Sequence, residues 1–370
     1  MGAMRELFPV TNHLTYFNHA AVGPLSTRAA EAMESFVRDQ RDYGALHWRE
    51  WYREYDRFRE SAARLLNAEP GEIAILKNTS EALSFVAQGI RWRSGDNVVT
   101  TALEFPPNVS PWRSLEGRGV ETRVAKEATV EAIAPLVDDR TRVVTVSSVA
   151  FHNGFVADLD ALGTFCAERQ ILFCVDAIQS LGMLPVDVRR SKISFLCADA
   201  HKWLCGPEGA TVFFVTREQI EQLDVFEYGW TNIARRNASF LDASTELVPD
   251  AKRFEAGSLN SAGIHGARAA IDLLLEVGIE EIARLVVGVA TVLAAGLESI
   301  GYRVITPIRS GIVAAAPQAV DGRELLRLHG ELEKNGVVCS PREGMLRFSP
   351  HFYNTHEEAQ RVVEVLSRLH

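Results

Sequence analysis

A lysine, a carboxylate and a pair of hydroxyls are spaced along this chain so that they could meet on one ligand. The lysine is Lys202, within Asp199-Ala200-His201-Lys202-Trp203-Leu204-Cys205-Gly206-Pro207-Glu208-Gly209. A primary amine next to a Gly-Pro-x-Gly turn can condense with an aldehyde; taken alone, it is equally a surface lysine beside a turn. Asp176 ends the apolar run Ile171–Val175, and ligands of open α/β sheets bind beyond the carboxyl ends of strands. A carboxylate there can keep a pyridine nitrogen protonated and make the ring an electron sink; its other reading is a helix N-cap. Gln179, three residues on, could reach a phenolic oxygen of such a ring. Thr79 and Ser80 open a helix directly after a strand, where hydroxyls, free N–H groups and the helix dipole suit a phosphate; ordinary capping uses the same residues. Together the groups describe one ligand with an aldehyde, a pyridine and a phosphate.

The elements that must position these groups alternate in type. Trp51, Tyr55, Phe58, Ala62 and Leu65 give residues 46–66 the apolar stripe of an amphipathic helix. Strands are expected at 73–76, 97–101, 142–147, 171–175 and 211–215, with helices from Asn78 to Ile90 and over 159–168. The β-branched run at 142–147 reads as a buried parallel strand. This alternation predicts an α/β fold with a mostly parallel sheet. Beyond residue 257 the texture changes to two long helices, 261–276 and 279–300, then short strands and a last helix from Thr355. The expected division is a large domain over 15–256 and a smaller C-terminal α+β domain over 257–370, with 1–14 packing on the small domain.

Composition narrows the function classes. The 370 residues carry 39 Lys+Arg against 48 Asp+Glu, a net charge of -9, which repels phosphate backbones and anionic lipid. No nucleic-acid or membrane role is expected. Cys166, Cys174, Cys197, Cys205 and Cys339 form no C-x-x-C pair and no zinc spacing. They read as buried, reduced thiols of a cytoplasmic enzyme without a metal. Met1–Glu6 lacks the pattern of a signal peptide or a myristoylation site. The apolar stretch Leu285–Leu297 is too short to span a bilayer and reads as a buried helix.

Six ordered motifs carry a resemblance to a known family. They are Tyr16-Phe17-Asn18-His19-Ala20-Ala21-Val22-Gly23-Pro24, Asn78-Thr79-Ser80-Glu81-Ala82, Glu104-Phe105-Pro106-Pro107-Asn108, the Asp176–Gln179 and His201-Lys202 segments, Arg253-Phe254-Glu255-Ala256-Gly257-Ser258, and Leu346-Arg347-Phe348-Ser349-Pro350-His351-Phe352-Tyr353-Asn354-Thr355. The chain resembles fold-type I pyridoxal-5'-phosphate (PLP) enzymes of the class V aminotransferase group, which includes cysteine desulfurases, selenocysteine lyases, kynureninases and isopenicillin-N-epimerase-like proteins. The resemblance implies PLP held as a Schiff base on Lys202, with Asp176 on the pyridine nitrogen and Phe105 stacked on the ring. It implies a cofactor site completed by Thr79, Ser80, Gln179, Asp199 and His201, and a homodimer with shared active sites in which Ser258 reaches the partner's phosphate. Arg347 would bind the α-carboxylate of an amino acid, and His19 would line the substrate side.

The chain departs from desulfurases in three places. Phe105 stands where they usually carry histidine, and it can stack but cannot move protons. Asp199 stands where they often carry a phosphate-binding serine, and is read as an anchor for His201. Cys339 runs almost directly into the Leu346-Arg347 motif and reads as a structural thiol, not a loop nucleophile. The expected activity is therefore PLP chemistry at the α-carbon of an amino acid. Alternatives are a desulfurase, selenocysteine-lyase-like or epimerase-like activity, and a non-enzymatic PLP-fold regulator.

Overall fold

The molecule, described over residues 2–102, 104–234, 244–317 and 322–369 of a computed structural model, is built on a seven-stranded sheet. Its strands are β1 (Ile73–Leu76), β2 (Asn97–Thr101), β3 (Glu121–Ala125), β4 (Thr141–Ser147), β5 (Leu172–Asp176), β6 (Phe195–Asp199) and β7 (Thr211–Val215). They lie in the order β1-β7-β6-β5-β4-β2-β3. β3, β2, β4, β5 and β6 run parallel, β7 runs against β6, and β1 runs against β7. Every residue of β2, β6 and β7 is buried, as expected where helices cover both faces of a sheet. Because β1 shares the direction of the parallel set, the carboxyl ends of β1, β2, β4, β5 and β6 meet at one edge.

Helices α1 (Thr27–Tyr43), α2 (Trp48–Leu66), α3 (Thr79–Gly89) and α4 (Leu159–Glu168) are followed by α5 (Ser261–Val277) and α6 (Ile279–Ser299). In α2, Tyr55, Phe58, Ala62 and Leu65 are buried as the stripe predicts. Trp51 departs from it, donating to Asp39 Oδ2 at 2.8 Å and packing its ring on Phe36. α5 packs on α1 and α2, and its Ile264, Ala267, Ile271 and Leu274 belong to the large core. That core extends to Val286, while a second core begins at Val289, so the seam between them passes along α6. α6 extends the apolar stretch to 21 residues, long and apolar enough to cross a membrane by length and composition alone. Here its Ile282, Val286, Val289, Leu293 and Leu297 are buried in the protein.

The second core lies against an antiparallel sheet of β8 (Arg303–Val304), β9 (Val313–Ala316), β10 (Ser340–Arg342) and β11 (Met345–Phe348), ordered β10-β11-β9-β8. Helices α7 (Gly322–Lys334) and α8 (His356–Ser367) complete it. The N-terminal segment crosses to this half. Arg5 pairs with Glu358 at 2.9 Å, Phe8 stacks on Tyr353 at 4.0 Å, and Thr15–Tyr16 forms a parallel ladder with Val337–Val338.

Candidate active site

Lys202 sits in the loop between β6 and β7 and is 9% exposed. Its neighbours fix this loop from three sides. Gly23 donates its N–H to His201 O at 2.7 Å, and a Cβ added at Gly23 would lie 2.1 Å from Lys202 O. Trp203, fully buried, donates its indole N–H to Gln179 Oε1 at 2.8 Å. His351 Nε2 bonds Trp203 O at 2.9 Å. The lysine side chain thus projects from a backbone held on three sides. Its Nζ lies 5.6 Å from the centre of the Phe105 ring. Burial, followed by the charges of Asp176 (opposing) and Arg347 (reinforcing), brings its ammonium down to about 8. Such an amine is still mainly protonated at neutral pH but gives up its proton far more readily than an ordinary lysine, so it can act as a nucleophile or base.

Asp176 ends β5 beside it. Its Oδ1 accepts the Ile178 N–H at 3.0 Å, and among the described residues no cation lies within ion-pair distance. Burial therefore raises the carboxyl to about 7, with the Ile178 bond and Lys202 opposing and Glu104 reinforcing the rise. A cationic N–H placed opposite this carboxyl would favour its charged form and bring the value back down. Next to Asp176, Gln179 is already engaged at both ends, since its Nε2 donates to Ala20 O at 2.9 Å. It holds the first active-site loop to the lysine loop, and only its remaining amide hydrogen is left for a ligand.

The phosphate-type groups gather at the amino end of α3. Asn78 Oδ1 caps the helix through Glu81 N at 2.9 Å. Thr79 Oγ1 accepts Asp199 N at 3.1 Å, which leaves its hydroxyl proton to donate, and Ser80 is exposed. Asp199 binds Ala200 N through Oδ1 at 2.8 Å, and its Oδ2 lies 3.1 Å from His201 Nδ1, off the line of a good hydrogen bond. Asp199 therefore stands against His201 and the lysine-loop backbone. Ser258 is exposed and lines a separate pocket with Lys77, Glu81 and Gly209.

Across the cleft, Phe105 is 45% exposed and meets Phe151 edge-on at 5.2 Å. Arg347 on β11 is only 1% exposed. Its Nη1 donates to Phe151 O at 2.6 Å, its Nε has no partner, and no carboxylate pairs with it among the described residues. A buried guanidinium without an anion is costly unless a ligand supplies one.

His19 is corrected. It is fully buried, with Nδ1 on Ser349 O at 2.9 Å and Nε2 on Tyr353 OH at 2.8 Å. Burial and the neighbouring His351 hold it well below the usual histidine range, so it is a neutral spacer between the N-terminal loop and the Ser349–Tyr353 turn. Sequence reasoning also passed over His152, 8% exposed with an unpartnered Nδ1, which feels Glu343, Glu104 and Arg347. Phe151-His152-Asn153-Gly154 follows the carboxyl end of β4, the same signal that marks Asp176 after β5.

Comparison with known proteins decides the family. The sequence profile described as Aminotransferase class-V matches residues 15–362. The chain belongs to that family. Within the class-V family it is 30% identical over 398 residues to a probable cysteine desulfurase of Methanothermobacter thermautotrophicus, covering 99% of this chain and 97% of that protein. It is 27% identical to the uncharacterized aminotransferase YcbU of Bacillus subtilis, covering 98% and 96%. A solved mutant of C-DES, with glycine covalently linked to its PLP cofactor, superposes with a TM-score of 0.92 at 22% identity, covering 98% of each chain. The fold is fold-type I, and the mostly parallel sheet agrees with it.

The family's cofactor, PLP, fits the residues present. Asp176 is the unpaired buried carboxyl that a protonated pyridine nitrogen would match, and Lys202 is a depressed amine suited to its aldehyde. Thr79, Ser80 and the first N–H groups of α3 suit its phosphate, and Phe105 offers an open ring face. The protein is a PLP-dependent enzyme of the class-V family.

Proposed function

We propose that this enzyme acts on an amino acid whose α-carboxylate is held by Arg347 while Lys202 moves the proton at its α-carbon. The observation that carries this reading is a buried, unpaired guanidinium across the cleft from a buried amine brought down to about 8. Bound PLP supplies the electron sink that makes an α-proton acidic. Arg347 orients the substrate by a two-point fork on its carboxylate. Lys202 changes protonation near neutral pH and can take a proton at Nζ and return it. Phe105 and Phe151 form an apolar wall that keeps water from the reacting carbon. Asp176, as a carboxylate facing the ring nitrogen, would keep the proton on that nitrogen, so that the ring stays cationic. Reduction of the holoenzyme with borohydride and peptide mapping tests the assignment: the label is expected on Lys202, and a label elsewhere would sink it.

The relatives named as desulfurases raise the question of sulfur chemistry. Persulfide formation on the chain needs a reachable thiolate. All five cysteines are buried, and Cys339, 3% exposed, has its thiol pushed up to about 12 by burial. This favours α-carbon chemistry, or direct release of a leaving group, over a cysteine relay. The working unit is a homodimer in which Ser258 serves the neighbouring subunit's phosphate site. Ser258 is exposed, in a pocket whose lining does not include Lys202, and this supports that reading.

A further inference from the structure

We propose that Arg342 is a specificity residue that binds a second acidic group on the substrate, so that the substrate class is amino acids with an acidic side chain. This rests on Arg347 holding the α-carboxylate. The geometry comes from the β10–β11 hairpin. Ser340 is opposite Arg347, and Arg342 is opposite Met345. Directly paired residues of an antiparallel ladder share a face, and diagonal neighbours on that face lie about 7–8 Å apart. Arg342 and Arg347 are such a diagonal pair. Leu346 and Phe348, on the opposite face, are sunk in the second core. The arginine face looks instead toward the large domain, where Arg347 reaches Phe151 O and Ser340 Oγ meets Asn18 Oδ1 at 2.6 Å.

The two arginines differ in depth. Arg347 is buried, whereas Arg342 is exposed at the mouth. No ion pair involves either one among the described residues. Arg342 nevertheless acts on the site: its charge is among those that lower both Lys202 and Arg347. The carboxylates nearby form no ion pair with it. Glu104 is tied to Thr101 Oγ1 at 2.5 Å and to Ser147 N at 2.9 Å, and Glu343 acts on His152. Carboxylates also surround Lys202, in Asp176 and Asp199, but Arg342 and Arg347 are the cations here that no ion pair satisfies among the described residues. One carboxylate satisfies the inner arginine. A second anion, carried further out on the same molecule, satisfies the outer one.

The test uses the PLP-loaded enzyme and two non-reacting ligands of equal carbon number, butyrate and succinate. Binding is read from the cofactor's visible spectrum and from the thermal midpoint. Wild type is expected to bind succinate about tenfold more tightly than butyrate, and added salt should shrink that ratio because the outer contact is exposed. Arg342→Gln should bring the ratio close to one by weakening succinate alone, and Arg342→Lys should keep part of it. Arg347→Gln should weaken both ligands. A wild-type ratio near one overturns the proposal, as does an Arg342→Gln variant that keeps the ratio or weakens both ligands equally. If Arg347→Gln leaves butyrate binding unchanged, the carboxylate role of Arg347 fails instead, a separate outcome.

Discussion

At the scale of single residues the site is defined by groups whose burial leaves them short of a partner. Arg347 is the clearest. Removing a charge-assisted two-point contact costs roughly 2–4 kcal/mol of transition-state binding, or about 30- to 1000-fold in kcat/KM. Arg347→Ala should show that loss with amino acids and much less of it with amines lacking a carboxylate, and Arg347→Lys should rescue poorly. Equal losses on both substrate types would remove the carboxylate contact from the mechanism. Asp176 makes a prediction about the cofactor-free protein. Its folded carboxyl titrates at about 7 against 3.8 for the free group. The folded state therefore keeps a proton that the unfolded chain releases above about pH 4. That contribution to stability is fully present below about pH 4 and is lost as the pH rises through about 7. The thermal midpoint of apoprotein should fall across this window, and Asp176→Asn should flatten the fall. Cys339 is the counterexample, a thiol with no part in the site. Cys339→Ala should leave turnover within about threefold, because nothing in the mechanism uses a thiolate. Loss of sulfide release with PLP still bound would restore the cysteine relay.

At the scale of elements, the site depends on loops that approach one another more closely than side chains allow. Gly23 is the test. A methyl there would meet Lys202 O at 2.1 Å, so Gly23→Ala should displace the lysine loop and weaken PLP retention about tenfold. Gly330→Ala, on α7 with nothing within 4 Å, should leave retention unchanged and stabilise the helix by about 0.5–1 kcal/mol. The contrast also marks what could be read from sequence. Runs such as Thr211–Val215 and Asn97–Thr101 are β-rich and bounded by turns, so both strands were legible to the residue. Glu121–Ala125 lies at the sheet edge with charged, half-exposed positions, and its pattern is weak. Strand direction is absent from any local pattern, so the reversal of β7 was not legible. The same division holds for the site. Lys202, Asp176 and Phe105 each follow a strand end at the shared edge, and that rule is local. His19 takes its partners from Ser349 and Tyr353, more than 300 residues away, and only the fold shows that they seal it in.

At the scale of the whole molecule, one face leaves aromatic surface uncovered. Trp48, Tyr228 and Trp230 are 47%, 57% and 44% exposed. Trp48 contacts Tyr52 at 5.5 Å, and Tyr52 contacts Trp230 at 6.5 Å, so Trp48, Tyr52 and Trp230 form one patch. It borders a cavity of about 410 Å³ lined by Tyr52, Tyr55, Val248 and Gly257, the residue before Ser258. Contiguous apolar surface of this kind marks an interaction site, and burying it at about 25 cal/mol per Å² would drive association. The expected occupant is a second copy, which would bring Ser258 of one subunit toward the phosphate site of the other. Sedimentation of the PLP-loaded enzyme should give two chains. Trp230→Glu should shift it toward monomer with loss of PLP, and an active, loaded monomer would overturn the reading. Mixed dimers give the sharper test. Lys202→Ala and Ser258→Ala subunits are each impaired in their own homodimers. When they are combined, one site has the intact Lys202 of one subunit and the intact Ser258 of the other, and it should recover wild-type PLP retention. The second site carries both defects. Recovery of half the sites requires that the active site be shared across the interface, whereas independent subunits would show none.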